Sequence, residues 1–514
     1  MLFASMSFLW IFLPTVLIVN MLLSKVADGR LRYTLKNVWL LIASLIFYAW
    51  GGIYYLLIML FSIVLNYTAG RLMERRRARS ILLLAIVLNL AMLFVFKYFN
   101  MLVVVLENMI GMFSGAMGCG QAFGAMFSMQ RTGVLGIKEI VLPIGISFFT
   151  FQAMSYVIDV YSGRVQVQKN ILKFALYVSF FPQLIAGPIV KYSDVARQID
   201  TRKESAPLFL SGQRRFICGL AKKVLLANTF ALTADAVWAM EPELMGSLTA
   251  WLGALSYTMQ IYYDFSGYSD MAIGLGRMFG FRFKENFNYP YTSLSVQEFW
   301  RRWHISLSSW FKEYVYFPLG GSREGSGKTY RNVFIVFLLT GIWHGANFTF
   351  LAWGLLYALL QIIERLFLGK LLGRNPVKPI NWVYTMLAVI LGWVLFRSDN
   401  IVYAGKYIAA MFGRYNGSAG AAAAGSGVYL CLGFMSMELI IAFAAALAGM
   451  GFVSRALAGV YDSVRKKTWF MALDMFVMLG LLTLCILRII SGTYNPFIYF
   501  KSVSYTHLTL PTNS

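Results

Sequence analysis

Three histidines occur in 514 residues, and two of them, His304 in FWRRWHISLSSW and His344 in GIWHGANFTF, lie in the most aromatic stretches of the chain. An imidazole among apolar neighbours carries a polar, titratable ring into a medium that disfavours it. Such a residue is by default a functional-site candidate. The chemistry it offers is proton transfer near neutral pH, to or from a hydroxyl or a leaving group. The third histidine, His507, sits in a polar tail and carries no such weight.

On a helix through residues 297–314, His304 shares a face with Trp300, Leu307 and Phe311, while Arg301, Arg302, Ser309, Lys312 and Glu313 fall mostly elsewhere. The same spacing suits a structural imidazole satisfied by a backbone carbonyl or a tryptophan. His344 interrupts the run NVFIVFLLTGIWHGANFTFLAWGLLYALL, which has the length and polarity of a membrane helix. There Thr340 and Asn347 fall on its face, and Gly341 and Gly345 thin the backbone for a close neighbour. The alternative is a packing histidine hydrogen-bonded across a bundle. In YYDFSGYSD, Asp264 and Asp270 can orient a histidine, but an ion pair with one of the many basic residues, or a helix cap, is the favoured reading. The Gly-Pro step in LIAGPIVKYSD breaks a helix and fits a cavity wall.

The elements that hold these residues follow from composition. Hydrophobic residues make up 59% of the chain, aromatics 16% and charged residues 13%, and the mean hydropathy is +0.65. A chain of this size cannot solvate such a surface in water, so the fold class is an all-α integral membrane protein. Its net charge of +23 would point to nucleic acid in a soluble protein. Here the bases cluster between apolar runs, where membrane topology explains them and no nucleic-acid partner is implied.

Apolar stretches long enough to cross the bilayer fall near residues 6–23, 37–49, 52–69, 81–106, 139–160, 171–190, 247–264, 331–363, 382–396, 429–452 and 469–490, about eleven in all. Trp50-Gly51-Gly52 divides residues 37–70 into a hairpin. The basic loops around Lys25–Lys36 and Arg71–Arg79 agree in placing the N-terminus outside. Residues 208–233 and 295–318 mix bases with apolar positions and read as interfacial or cavity-lining helices. The Gly/Met-rich stretch 109–136 and the low-complexity NGSAGAAAAGSG at 416–427 read as loops. Residues 1–500 form a single membrane domain, and 501–514 are an atypical polar tail.

Other chemistries are excluded by pattern. Cys119, Cys218, Cys431 and Cys485 are scattered and form no C-x-x-C pair, so neither a zinc site nor a disulfide framework is indicated. No phosphate loop, H-E-x-x-H helix, His-x-x-x-x-Asp pair or G-x-S-x-G element occurs, and GGSREGSGKTY at 320–330 reads as a basic turn. A proton-coupled transporter would require broken helices in two related halves, and no such repeat is visible.

Five segments, LPIGISFFTFQAMSYVIDVY (142–161), FFPQLIAGPIVKYSD (180–194), YTMQIYYDFSGYSDMAIGLGRMFGF (257–281), NFNYPYTSLSVQEFWRRWHISLSSWFKEYVYFPLGGSR (286–323) and GIWHGANFTFLAWG (341–354), resemble the membrane-bound O-acyltransferase (MBOAT) family, most closely its alginate O-acetyltransferase (AlgI-like) branch. The resemblance implies about eleven transmembrane helices, with short interfacial and re-entrant helices around a central tunnel. It implies that His344 is catalytic and His304 a second catalytic candidate, and it makes Asn347, Trp343, Trp303 and Asp264 tunnel candidates. It further implies an acetyl group taken from a cytoplasmic thioester, acetyl-CoA, for a polysaccharide hydroxyl outside. No permanently bound cofactor or metal is implied. A separate extracytoplasmic serine-hydrolase-like partner and residence as a multi-pass protein of the bacterial cytoplasmic (inner) membrane complete the expectation. D-alanyl transfer to teichoic acid, as in the DltB-like branch, is the nearest alternative.

Overall fold

A computed structural model describes residues 1–26, 29–415, 431–464, 467–492 and 496. The Gly/Ala stretch 416–427, His507 and the tail 501–514 lie outside the described residues. Every regular element among the described residues is helical. Seven helices, Ser7–Val26, Ile53–Arg75, Arg79–Phe113, Ala206–Trp238, Phe348–Arg374, Lys378–Arg397 and Thr468–Ile490, are long and apolar enough to cross a membrane. Three more have the length but carry more polar residues: Gly29–Ala49, Ser247–Met278 and Ser326–His344.

Ser247–Met278 is the axis of the bundle. Its 32 residues span about 48 Å, well beyond the ~30 Å hydrocarbon core. Nearly all its side chains are buried, so its tyrosines and serines face protein and not lipid. Helix Ala206–Trp238 crosses it through two glycine contacts. A Cβ on Gly212 would sit 2.6 Å from the Gly274 carbonyl oxygen, and one on Gly219 would sit 2.6 Å from that of Gly267. The two backbones therefore touch, as small residues permit inside membranes.

Of the two readings of residues 208–233, interfacial or cavity-lining, that contact removes the interfacial one. They belong to a continuous 33-residue helix, more than half buried, and three of its cations pair with the axial helix while Arg214 pairs with Asp474 of Thr468–Ile490. Asp270 accepts from Arg215 and Lys222, both at 2.7 Å, and Asp264 lies 2.9 Å from Lys223. The two aspartates thus form the ion pairs that their surroundings in the sequence favour.

Other boundaries also differ from the sequence reading. The hairpin 37–70 forms as expected, with Gly52 at φ 138°, a conformation reserved for glycine. Residues 171–190 do not make one span. Helix Ile171–Ser179 gives way to the short turn Phe181–Leu184 and then to non-helical backbone through Lys191. Within 109–136, helix Cys119–Phe127 interrupts the expected loop. The run 331–363 is two helices, Ser326–His344 and Phe348–Ile363, folded against each other. Gly341 and Gly354 allow it, because a Cβ on either would lie 2.5–2.6 Å from a carbonyl oxygen of the opposite helix.

The helices run between two chemically different ends. Basic residues gather at one, where Lys36 pairs with Glu204, Arg77 donates to the Tyr161 carbonyl and Lys173 pairs with Asp200. At the other, Tyr48 donates to the Ile144 carbonyl, and Arg397 pairs with Asp235.

Candidate active site

His304 stands at a break, not on the face of a continuous helix. Ser295 caps helix Val296–Arg302, Trp303 is extended, and His304 adopts a left-handed conformation (φ 44°, ψ 54°) before helix Ile305–Phe311 begins. A non-glycine residue in that region is strained and persists only where contacts over-determine it. Here the Ile305 amide donates to the Asn286 carbonyl at 2.9 Å, and the Trp303 amide donates to that of Phe299 at 2.8 Å.

The Asn286 side chain then fixes the ring. Its Oδ1 accepts from the Ser306 amide at 3.2 Å and the Ser306 hydroxyl at 2.9 Å, and it lies 3.1 Å from His304 Nδ1. A backbone N–H can only donate, so this oxygen is the acceptor and Nδ1 of His304 must carry the hydrogen. The basic lone pair is left on Nε2, which is buried and has no hydrogen-bond partner among the described residues. Phe265 closes one side of the ring edge-on at 4.7 Å.

His344 is the last residue of its helix. Gly345 is extended, and Asn347 begins the next helix as its cap, its Oδ1 accepting from the Thr349 amide at 3.1 Å. Asn347 therefore does not share a helical face with His344. Its Nδ2 donates instead to the Asp399 carbonyl at 2.7 Å. The His344 imidazole is enclosed edge-on by Trp353 at 4.9 Å and Phe396 at 5.0 Å. Neither ring nitrogen has a hydrogen-bond partner among the described residues.

Trp343 lies between the two histidines, its ring centroid 4.9 Å from that of His344 and 6.2 Å from that of His304. Its indole N–H is also buried and has no hydrogen-bond partner among the described residues. Buried polar atoms are ordinarily satisfied, so the two such atoms here, His304 Nε2 and Trp343 Nε1, set this place apart from ordinary packing. Trp303 stacks on Phe299 at 5.5 Å and lies tilted against Trp393 at 4.8 Å. Asp264 is committed to Lys223 and lines neither of the cavities described next.

Two cavities lie near this centre, and neither His304 nor His344 lines either of them. One, of about 400 Å³, lies on the basic side and is lined by Trp300, Arg301, Lys312, Thr340 and Arg365. The other, of about 320 Å³, is lined by Lys97, Gln260, Arg397 and the Gly345–Asn347 turn that follows His344. The broken backbone at 185–191 braces the site, with the Ile189 amide donating to Ser306 Oγ at 3.0 Å. Sequence reasoning missed Asn286 and Lys97. The first has no local signal, while the second is a solitary cation in the apolar run 81–106.

Replacing Asn286 with Ala is expected to slow turnover about ten- to a hundredfold, the value of one hydrogen bond that holds a reactive tautomer. Asn286→Asp, which still accepts, should recover most of the rate. Equal rates for Asn286→Ala and the parent, measured at matched protein levels, would show that ring orientation at His304 does not matter.

Among the described residues, the bundle sets the unpartnered His344 imidazole one residue before the turn that lines the second cavity. Comparison with known proteins defines the class. The model of the membrane-bound O-acyltransferase family matches residues 164–401, which include both histidines. The chain is 44% identical over 417 residues to the probable alginate O-acetylase AlgI of Pseudomonas aeruginosa, covering 80% of this chain and 75% of that one. It is 34% identical over 451 residues to the peptidoglycan O-acetyltransferase of Helicobacter pylori, covering 80% of each. With the teichoic acid D-alanyltransferase of Bacillus subtilis it shares 28% identity over 282 residues, 52% of this chain and 70% of that one. The chain belongs to the membrane-bound O-acyltransferase family, and it is a multi-pass membrane O-acyltransferase.

Proposed function

We propose that this enzyme moves acetyl from acetyl-CoA in the cytoplasm to hydroxyls of an exported polysaccharide such as alginate, with His344 as the base. The observation that supports the reading is the His344 imidazole, without a hydrogen-bond partner among the described residues and adjoining the Gly345–Asn347 turn that lines one cavity. The positive-inside rule supports a cytoplasmic basic end, and the bacterial relatives support residence in the inner membrane. The cavity on that side has three cations, Arg301, Lys312 and Arg365, without a carboxylate partner among the described residues. Unneutralised cations suit the phosphates of coenzyme A. They also favour a small anionic donor over the carrier-protein thioester of a D-alanyl transferase.

The chemistry asks for one base. The acceptor hydroxyl attacks the thioester carbon while His344 removes its proton. The tetrahedral intermediate then collapses with cleavage of the C–S bond, and the imidazolium returns the proton to sulfur. Identity to the alginate O-acetylase over 80% of the chain supports a polysaccharide acceptor. A separate extracytoplasmic serine-hydrolase-like protein is the proposed partner that receives or places the acetyl group.

The test is reconstitution in proteoliposomes with radiolabelled acetyl-CoA on the basic side and alginate, with the secreted proteins of the host, on the other. Acetyl esters on the polysaccharide are expected, with equimolar thiol release. Label transfer only from a D-alanyl carrier protein would replace the donor, and a proton flux without acyl transfer would replace the enzyme by a transporter.

A further inference from the structure

Lys97 lines the cavity that adjoins His344 and, among the described residues, has no carboxylate partner. It lies in a widened turn of π geometry, Phe94–Tyr98, inside the long helix Arg79–Phe113. Such turns often mark functional sites because they redirect a side chain. The Lys97 ammonium donates to the carbonyl of Trp343 and, at 3.1 Å, to Ser147 Oγ, and it lies 5.3 Å from the centre of the Trp343 ring. The adjacent Tyr98 hydroxyl donates to the Ile342 carbonyl at 2.6 Å. Two neighbouring side chains thus hold the end of the helix that delivers His344.

An ammonium has three N–H groups, and only two are engaged. Lys97 has no carboxylate partner among the described residues, whereas the two other cations of the same cavity are matched. Arg131 pairs with Glu107, and Arg397 pairs with Asp235. An unneutralised cation in an aromatic, membrane-embedded site is costly, and that cost is offset when negative charge forms beside it. In acyl transfer such charge forms on the carbonyl oxygen of the tetrahedral intermediate.

We propose that Lys97 is a catalytic oxyanion donor whose third N–H stabilises the oxygen that becomes negative during transfer. This rests on the reading of His344 as the base. As the hydroxyl oxygen bonds to the acyl carbon, the carbonyl pair moves onto oxygen and the hydroxyl proton goes to His344. Lys97 keeps its own protons and hydrogen-bonds the new oxyanion. When the pair returns, the C–S bond breaks and the thiolate takes the proton from the imidazolium. Lys97 and Ser147 both lie outside the stretch matched by the family model.

The experiment compares Lys97→Gln, Lys97→Met and Lys97→Arg in nanodiscs, following thiol release from acetyl-CoA in the presence of acceptor. Loss of charge is expected to lower kcat about 10²–10³-fold with donor KM almost unchanged, and Arg should retain much of the rate. Gln can still donate to the Trp343 carbonyl, so a Gln variant with the parental kcat would reduce Lys97 to a helix cap and overturn the proposal. A change in KM alone would do the same. If the uncharged variants do not fold, Ser147→Ala decides, since it removes one tether of the ammonium. It should lower kcat about three- to tenfold at constant KM, and an unchanged kcat would count against Lys97. Parent protein that ignores acetyl-CoA would instead refute the donor reading, and the same variants would then be assayed with an acyl carrier protein thioester.

Discussion

His344→Ala is expected to lower acyl transfer by about 10²–10⁴-fold, the range that a positioned general base supplies, without loss of folded protein. The argument begins from what the ring does not do. It makes no hydrogen bond among the described residues, and its walls are Trp353, Phe396 and Trp343 in edge-to-face contact. A histidine kept for structure would have its nitrogens satisfied. Removing this one deletes aromatic packing at a site already next to a cavity, so the structural cost is local. His344→Gln fills similar space without a basic nitrogen and should be as inactive as the Ala variant. The readout is acetyl ester formed per unit of membrane protein, with the elution profile as the control for folding. If either variant acetylates at the parental rate, the base is another group. His304, with its defined Nε2 lone pair, would then be the first to test.

Much of this architecture is legible in the chain, and the parts that are not share a physical cause. Runs of apolar residues announce their helices because the bilayer requires them whatever the neighbours are. The rarity of histidine can also be read directly from the chain, and the two histidines it singles out both lie against Trp343. The break at His304 is not local, since the left-handed turn is held by Asn286, 18 positions earlier in the chain. Periodicity alone carries a helix straight through it. At His344 the signal was present in Gly345-Ala346-Asn347, where Asn is a good helix cap, but the long apolar run concealed a hairpin. Residues 208–233 misled for the opposite reason. Their cations suggest an interface or a cavity wall, and only the facing helix shows that Asp264 and Asp270 pair with Arg215, Lys222 and Lys223.

Gly267→Leu should be the most damaging substitution to the fold itself. Gly267 and Gly219 meet where Ala206–Trp238 crosses the axial helix, and a Cβ on Gly267 would already sit 2.8 Å from the Gly219 carbonyl oxygen. Backbone cannot rotate away as a flexible side chain can, so the helices must separate along their length. Separation would also loosen the Gly212–Gly274 contact two turns further along and the ion pairs of Asp270 with Arg215 and Lys222. Overpacking a well-filled core ordinarily costs about 1–3 kcal/mol, and a branched side chain driven into backbone should exceed that. The expected result is aggregation on detergent extraction and loss of the monodisperse species. Gly480→Leu is the matched control, because nothing lies within 4 Å of a Cβ built there. It adds the same side chain to another membrane helix and should leave extraction unchanged. If Gly267→Leu extracts as well as Gly480→Leu, the two helices do not cross in backbone contact. The axial helix, which carries Phe265 to the face of His304, would then have to reach that ring by a different path.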